Sequence, residues 1–186
     1  IKQSSDHLLL LINDVLDMSR IESGKMNLSK KPENLSEIFH SLRNIIQADV
    51  SAKQLQLFID IKNLTDEDVI CDKLRINQIL LNLVSNAIKF TPAGGAIHIG
   101  VEEGVSQKPG HASYEFCVQD SGIGMSQEYM KTIFDPFTRE QTSTVSGIQG
   151  TGLGMAITKN IVDMMEGTIT VDSTKGKGTL FTVRLD

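Results

Sequence analysis

Between Ser5 and Ile21, Leu8, Leu11, Ile12, Val15 and Met18 recur at helical spacing while Asn13, Asp14, Asp17 and Arg20 take the other side, which predicts one amphipathic helix. Gly24 breaks this pattern, and Pro32 marks the approach to a second helix that Asn34 or Ser36 can cap. A boundary therefore falls near residues 23–25. The first helix has to bury its stripe either on the rest of the chain or on another chain.

Downstream the periods alternate. They predict helix over 35–53, strand over 55–61, a short strand over 69–71, helix over 73–90, strands over 96–103 and 113–119, and helix over 126–134. Residues 135–151 lack a period, 152–165 read as helix, and "GTITVDSTKGKGTLFTVRL" reads as a closing hairpin. The strands are not each followed by a helix. Adjacent-strand pairings are expected over 96–119, over 167–185, and over 26–61 with its neighbours. The fold class is thus a two-layer α/β (α+β) sandwich, a mixed, mostly antiparallel sheet covered on one face by about three helices.

A length of 186 residues with 40% apolar content suits one such domain plus an appendage. With 18 basic against 23 acidic residues, a formal net charge of −5 gives no reason to expect a nucleic-acid partner. No apolar run approaches the roughly 18–20 residues of a spanning helix, and "IKQSSDHLLLLIND" lacks the features of a signal peptide. The expectation is a cytoplasmic segment of something larger. Cys71 and Cys117 lack CxxC partners and read as buried free thiols, while His7, His40, His98 and His111 lack metal-ligand spacing.

Chemistry concentrates in three stretches. In "GIQGTGLGMAI", Gly147, Gly150, Gly152 and Gly154 precede a helix expected to begin near Gly152. The spacing fits neither the dinucleotide fingerprint, because Gly150 and Gly152 are followed by Met155 where Gly or Ala is required and the turn follows an irregular segment and not a strand, nor the P-loop, because "KGKGTL" puts Gly178 where Ser or Thr is required. Small residues can nevertheless turn backbone N–H groups into one concavity at the positive end of a helix, so the turn is a candidate phosphate cradle or a plain surface loop.

In "DKLRINQILLNLVSNAIKF", Arg75, Gln78, Asn82, Ser85, Asn86 and Lys89 fall within a polar arc of roughly 100°, and apolar residues cover most of the rest of the helix. A solvated face would be wider and richer in charge. An amide oxygen is a suitable hard ligand for Mg2+, and an ammonium a suitable point charge for phosphate. In "VQDSGIGM", Asp120 ends a strand, and Gly122 and Gly124 permit a tight turn near a ligand. A carboxylate there can accept from the exocyclic amine of adenine, which guanine lacks at that position. "IFDPF" places Phe134 and Phe137 as apolar anchors at the entrance to a long irregular stretch of the kind that forms lids.

Together and in this order the motifs resemble the ATP-binding domain of sensor histidine kinases, a branch of the GHKL superfamily. Asn82, Asn86 and Lys89 in "NLVSNAIKFT" match its N box, Asp120, Gly122 and Gly124 its first glycine box, and "FDPF" its F box. Gly150, Gly152 and Gly154 match the second glycine box, and Gly176, Gly178 and Thr179 in "GKGTLF" the last. The resemblance covers 26–186, and the first 24 residues are similar to the second helix of the family's dimerisation and phosphotransfer hairpin. That divides the chain into 1–24 and a catalytic domain over 25–186. The family's phosphoacceptor motif does not occur, and His7 and His40 read as ordinary helix residues.

The resemblance implies a GHKL-type fold with an ATP lid and assigns roles. Asp120 would bind the adenine amino group with Thr179 in support, and Phe90 would line the pocket. Asn86, with Asn82, would hold Mg2+; Asn82 and Lys89 would reach phosphate, and Gly150, Thr151, Gly152, Leu153 and Gly154 would close over the phosphates. Arg139 is a candidate for the γ-phosphate. The expected partners are ATP, a phosphotransfer helix of the same kinase, a response-regulator receiver domain, and a second copy in the parent. Two rivals stand beside the kinase: an ATP hydrolase of the same fold, and a nucleotide-binding module without turnover. Hydrolases of the fold carry glutamate where Asn82 stands, and an amide cannot take a proton from water at neutral pH.

Overall fold

The computed structural model describes residues 12–21, 23–140 and 151–186. Helix α1 (residues 12–21) closes on Gly24, whose φ of 64° ends the right-handed run. Strand β1 (Lys31–Asn34) leads into α2 (Leu35–Ala52), then β2 (Gln56–Lys62), β3 (Asp68–Cys71) and α3 (Lys73–Phe90). Strands β4 (Ala96–Gly104) and β5 (Ser113–Asp120), the short α4 (Gln127–Met130), α5 (Gly154–Met164), β6 (Thr168–Thr174) and β7 (Gly178–Leu185) follow. Two caps start the long helices: Asn34 accepts from the Glu37 N–H at 3.1 Å, and Asp72 from the Arg75 N–H at 3.1 Å. Asp72 is buried and also accepts from the Ser29 N–H at 2.8 Å, tying the entry segment to α3.

The main sheet has the order β2-β4-β5-β7-β6. Every pairing in it is antiparallel except β2 with β4. Alternation selects its inner face: Ile97, Ile99 and Val101 of β4, Phe116 and Val118 of β5, and Phe181 and Val183 of β7 are buried. Against them lie Ile38, Phe39 and Leu42 of α2, Ile76, Leu80, Leu83 and Val84 of α3, and Ile157, Ile161 and Val162 of α5. The other face is open, and Phe58 and His98 stack there with ring centroids 4.5 Å apart. The two-layer architecture expected from the sequence is the one observed.

Three expectations change. The pairing expected over 26–61 does not form: β1 pairs with β3 in a separate two-stranded sheet, and β2 joins β4 in parallel, with Gln56 opposite Ala96. A parallel pair needs a long crossover, and β3 with α3 supplies it. The helix expected over 126–134 is cut to α4, after which Lys131, Thr132 and Asp135 donate to carbonyls three residues back. Pro136 disfavours helical backbone at the residue before it. Both cysteines are free, as expected, but only half-buried. Burial raises both thiols, Cys71 to about 11, which keeps them protonated and unreactive.

Candidate functional site

The C-terminal half of α3, the end of β5, the start of α5 and the β6–β7 hairpin meet at one end of the sheet. Asp120 stands opposite Thr179 in the β5–β7 register. Its carboxylate accepts from the Gly122 N–H at 2.8 Å and from the backbone N–H of Thr179. Burial raises the Asp120 carboxyl above its ordinary value, and those two hydrogen bonds oppose the rise. Thr179 is buried, with its hydroxyl 2.9 Å from that of Ser173. Ser173 donates to the Gly178 carbonyl at 2.9 Å and accepts from the Met125 N–H at 2.9 Å. Its single proton is thereby used, so the Thr179 hydroxyl donates to Ser173 and keeps its lone pairs for an incoming donor.

The glycines here serve the protein's own packing. A Cβ on Gly178 would lie 1.9 Å from the Asp120 carbonyl oxygen, and one on Gly122 would lie 2.6 Å from both the Asp120 Oδ1 and the Phe90 carbonyl oxygen. Gly124 sits against the backbone of Thr174 in the same way. Small residues thus let three chain segments converge beneath one carboxylate.

The polar arc of α3 is divided between two neighbours. Its first half turns to α1: Arg75 Nη1 donates to Gln78 Oε1 at 2.8 Å, and Gln78 Nε2 to Asp17 Oδ2 at 2.8 Å. Its second half turns to α5. Asn82 Nδ2 donates to the Gly154 carbonyl at 3.2 Å and to Thr158 Oγ1 at 3.1 Å, and Asn86 Nδ2 to Met155 Sδ at 3.3 Å. Lys89 lies over the Phe90 ring, 5.1 Å from its centroid. Its ammonium is lowered first by burial and then by the nearby positive charge of Arg139. Two cations held close at the rim make a field suited to a polyanion.

The glycine turn enters α5 later than expected. Gly152, at φ 73°, cannot belong to a right-handed helix, and α5 begins at Gly154. The Leu153 side chain is in the core, 1% exposed, leaving only its backbone to the site. Its N–H donates to Thr151 Oγ1 at 3.1 Å. Phe134 is partly buried against the core, but Phe137 is 72% exposed with φ 63°, and its N–H donates to the Gly152 carbonyl at 2.9 Å. Only one of the two expected anchors therefore packs on the core, and that one only in part. Gly150 and Gly147 lie outside the described residues. Sequence reasoning missed Ser173 and Thr158. Ser173 was findable, since it mirrors Thr179 across the hairpin turn.

A cation has suitable donors here. Both amide nitrogens on α3 face acceptors on α5, so their oxygens remain for a hard ion. Among the described residues there is no cluster of three or more His, Cys, Asp or Glu. The two amide oxygens are the hard neutral donors that an ion such as Mg2+ takes in small number, completing its shell with phosphate and water. From Asn82 to Phe90 the helix rises about 12 Å.

A family model described as histidine kinase-, DNA gyrase B- and HSP90-like ATPase matches residues 71–186, more than half of the chain. The chain belongs to this family. Within it, the domain is of the sensor histidine kinase type. It is 38% identical over 186 residues, all of this chain and 21% of the relative, to the autoinducer 2 sensor kinase/phosphatase LuxQ of Vibrio parahaemolyticus. It is 40% identical over 185 residues, 100% of this chain and 20% of the relative, to the sensor protein GacS of Pseudomonas syringae pv. syringae. The chain thus spans about a fifth of the length of these curated relatives. Among solved structures, full-length ShkA in complex with AMPPNP superposes with a TM-score of 0.81 at 28% identity over 98% of this chain and 36% of that one. The nucleotide-free catalytic domain of ThkA gives 0.69 at 28% identity over 86% and 95% of the two chains. Among the described residues no helix of this family member is long and apolar enough to cross a membrane.

Proposed function

We propose that this chain binds ATP together with Mg2+ and donates the γ-phosphoryl group to a histidine on a phosphotransfer helix of its parent kinase. Asp120 accepts from the adenine amino group, with the Thr179 lone pairs beside it, and Phe90 forms the wall of the base site. Asn82 and Asn86 offer amide oxygens to the ion, and Lys89 and Arg139 offset the charge of the phosphates. The ion, when bound, neutralises charge developing on the phosphate oxygens. The histidine's unprotonated ring nitrogen attacks the γ-phosphorus, the bond to the β–γ bridging oxygen breaks, and ADP leaves with that electron pair. Positioning and charge compensation carry such a reaction, so no protein nucleophile is required in this domain.

The observation that carries the reading is Asn82. Its amide nitrogen is committed to the start of α5, and it has no basic site to activate water, which favours transfer over hydrolysis. Residues 1–24 are read as the end of the phosphotransfer hairpin and 25–186 as the catalytic domain. A response-regulator receiver, a second copy of the parent and a cytoplasmic setting complete the proposal. ThkA, crystallised with the response regulator TrrA, shares the fold at a TM-score of 0.74.

Calorimetric titration with ADP and a non-hydrolysable ATP analogue, with and without Mg2+ and with GTP as control, tests the site. Metal-dependent, adenine-selective binding is expected. Equal binding of GTP would overturn the role of Asp120, and rapid release of inorganic phosphate from ATP by the isolated chain would favour the hydrolase over the kinase.

A further inference from the structure

Helix α1 presents two opposite faces. Asp14, Asp17, Met18 and Ile21 are half-buried and recur at i, i+3, i+4 and i+7, while Ile12, Val15 and Leu16 are 46%, 52% and 50% exposed on the reverse side. The acidic side, not the apolar ridge, faces the catalytic domain. Met18 and Ile21 pack against the core, and Asn160 of α5 reaches the Met18 sulfur at 3.8 Å. Asp17 accepts from Gln78 of α3, and Asp14 accepts from the Thr151 hydroxyl at 2.8 Å.

The Asp14 contact falls at a sensitive place. The Thr151 hydroxyl that donates to Asp14 also accepts the Leu153 N–H, and Leu153 is the N-cap of α5. Asp14 thus places a carboxylate beside the positive end of the helix, on the second glycine box. That is where a polyphosphate would seek the same hydroxyl and the same field. Burial already weighs against the Asp14 charge, and the neighbouring Asp17 adds to it.

We infer that α1 is a charge-sensitive latch on the nucleotide site: docking of α1 through Asp14 and binding of nucleotide phosphates oppose one another. The inference rests on the proposed ATP site. Coupling is reciprocal, so nucleotide loosens α1 by the same factor by which docked α1 weakens nucleotide. A released α1 keeps its apolar ridge for a neighbouring helix while its acidic side comes free of Gln78 and Thr151.

The test uses the whole chain and its Asp14→Asn variant, which keeps an acceptor for Thr151 but removes the charge. Affinities for adenosine, ADP and the ATP analogue are measured, together with amide exchange over residues 12–21. The variant should bind the ATP analogue about fivefold or more tightly, a coupling of ordinary size, with a smaller gain for ADP and none for adenosine. Saturating analogue should speed exchange in α1 of the parent chain. A second variant, Gln78→Leu, cuts the other anchor without touching charge at Thr151 and should also raise affinity for the analogue. An unchanged or weaker affinity in Asp14→Asn, an equal gain for adenosine, or α1 exchange indifferent to nucleotide would overturn the latch while leaving the ATP site standing. A parent chain and variants that bind no adenine nucleotide would overturn the site and the latch together.

Discussion

Asp120 and Thr179 face each other across β5 and β7, and the backbone N–H of Thr179 helps hold a carboxylate that burial would otherwise keep protonated to higher pH. Ser173 accepts the hydrogen bond of the Thr179 hydroxyl, so Asp120 and Thr179 present acceptors only. A base edge bearing an amino group satisfies this arrangement, and one bearing a carbonyl oxygen leaves it unpaired.

Asp120→Asn should weaken binding of the ATP analogue about 10- to 100-fold, the scale of a hydrogen bond to a charged group at roughly 1.5–3 kcal/mol. Calorimetry on the folded variant measures this directly. Unchanged affinity would remove the adenine assignment.

The same carboxylate predicts opposite pH trends for binding and stability. Its folded pKa is raised, so ionised Asp120 costs the fold stability above that pKa, and the cost fades as pH falls through it. Nucleotide affinity runs the other way, because the protonated acid is a poorer acceptor. Just above the ordinary carboxylate range, falling pH should weaken binding in the parent more than in Asp120→Asn. Parallel profiles for the two proteins would show that Asp120 does not titrate in the site.

Lys53 holds the end of α3, its ammonium donating to the Ile88 carbonyl at 2.6 Å and the Lys89 carbonyl at 2.8 Å. That end carries Phe90, whose carbonyl accepts from the Ile123 N–H at 3.2 Å beneath the Asp120 loop. Lys53→Met should cost about 1–3 kcal/mol of stability and weaken nucleotide binding several-fold, with Lys53→Arg recovering part of both. Thermal melts and titrations of the pair check it; a methionine variant with full affinity would show that this end of α3 needs no cap.

The exposed ridge of Ile12, Val15 and Leu16 predicts self-association. Sedimentation should show a concentration-dependent dimer that Val15→Glu disperses, with nucleotide binding retained. A monomer at all concentrations would show that the ridge does not drive association.

Much of the site was legible because it is local. The arc of α3 follows from a 3.6-residue period, so Asn82, Asn86 and Lys89 could be placed on one side of a helix before any fold was known. The β4–β5 and β6–β7 hairpins followed from period-2 runs separated by turn residues. These features depend on neighbours along the chain, which the sequence states outright.

Only the tertiary structure decided what each side meets. Periodicity sorted Asp14 and Asp17 from the apolar stripe of α1, yet could not show that the acidic side would take the domain and leave Ile12 and Val15 outward. It did not show that Leu153, inside a glycine-rich motif, belongs to the core, or that β2 would lie parallel to β4. The resemblance paired Asp120 with Thr179, but that Thr179 lies opposite Asp120 and bonds to Ser173 depends on strand order and register across more than fifty residues, which no period states. A period specifies which residues share a face; which surface that face buries against is settled by the free energy of the whole packed layer.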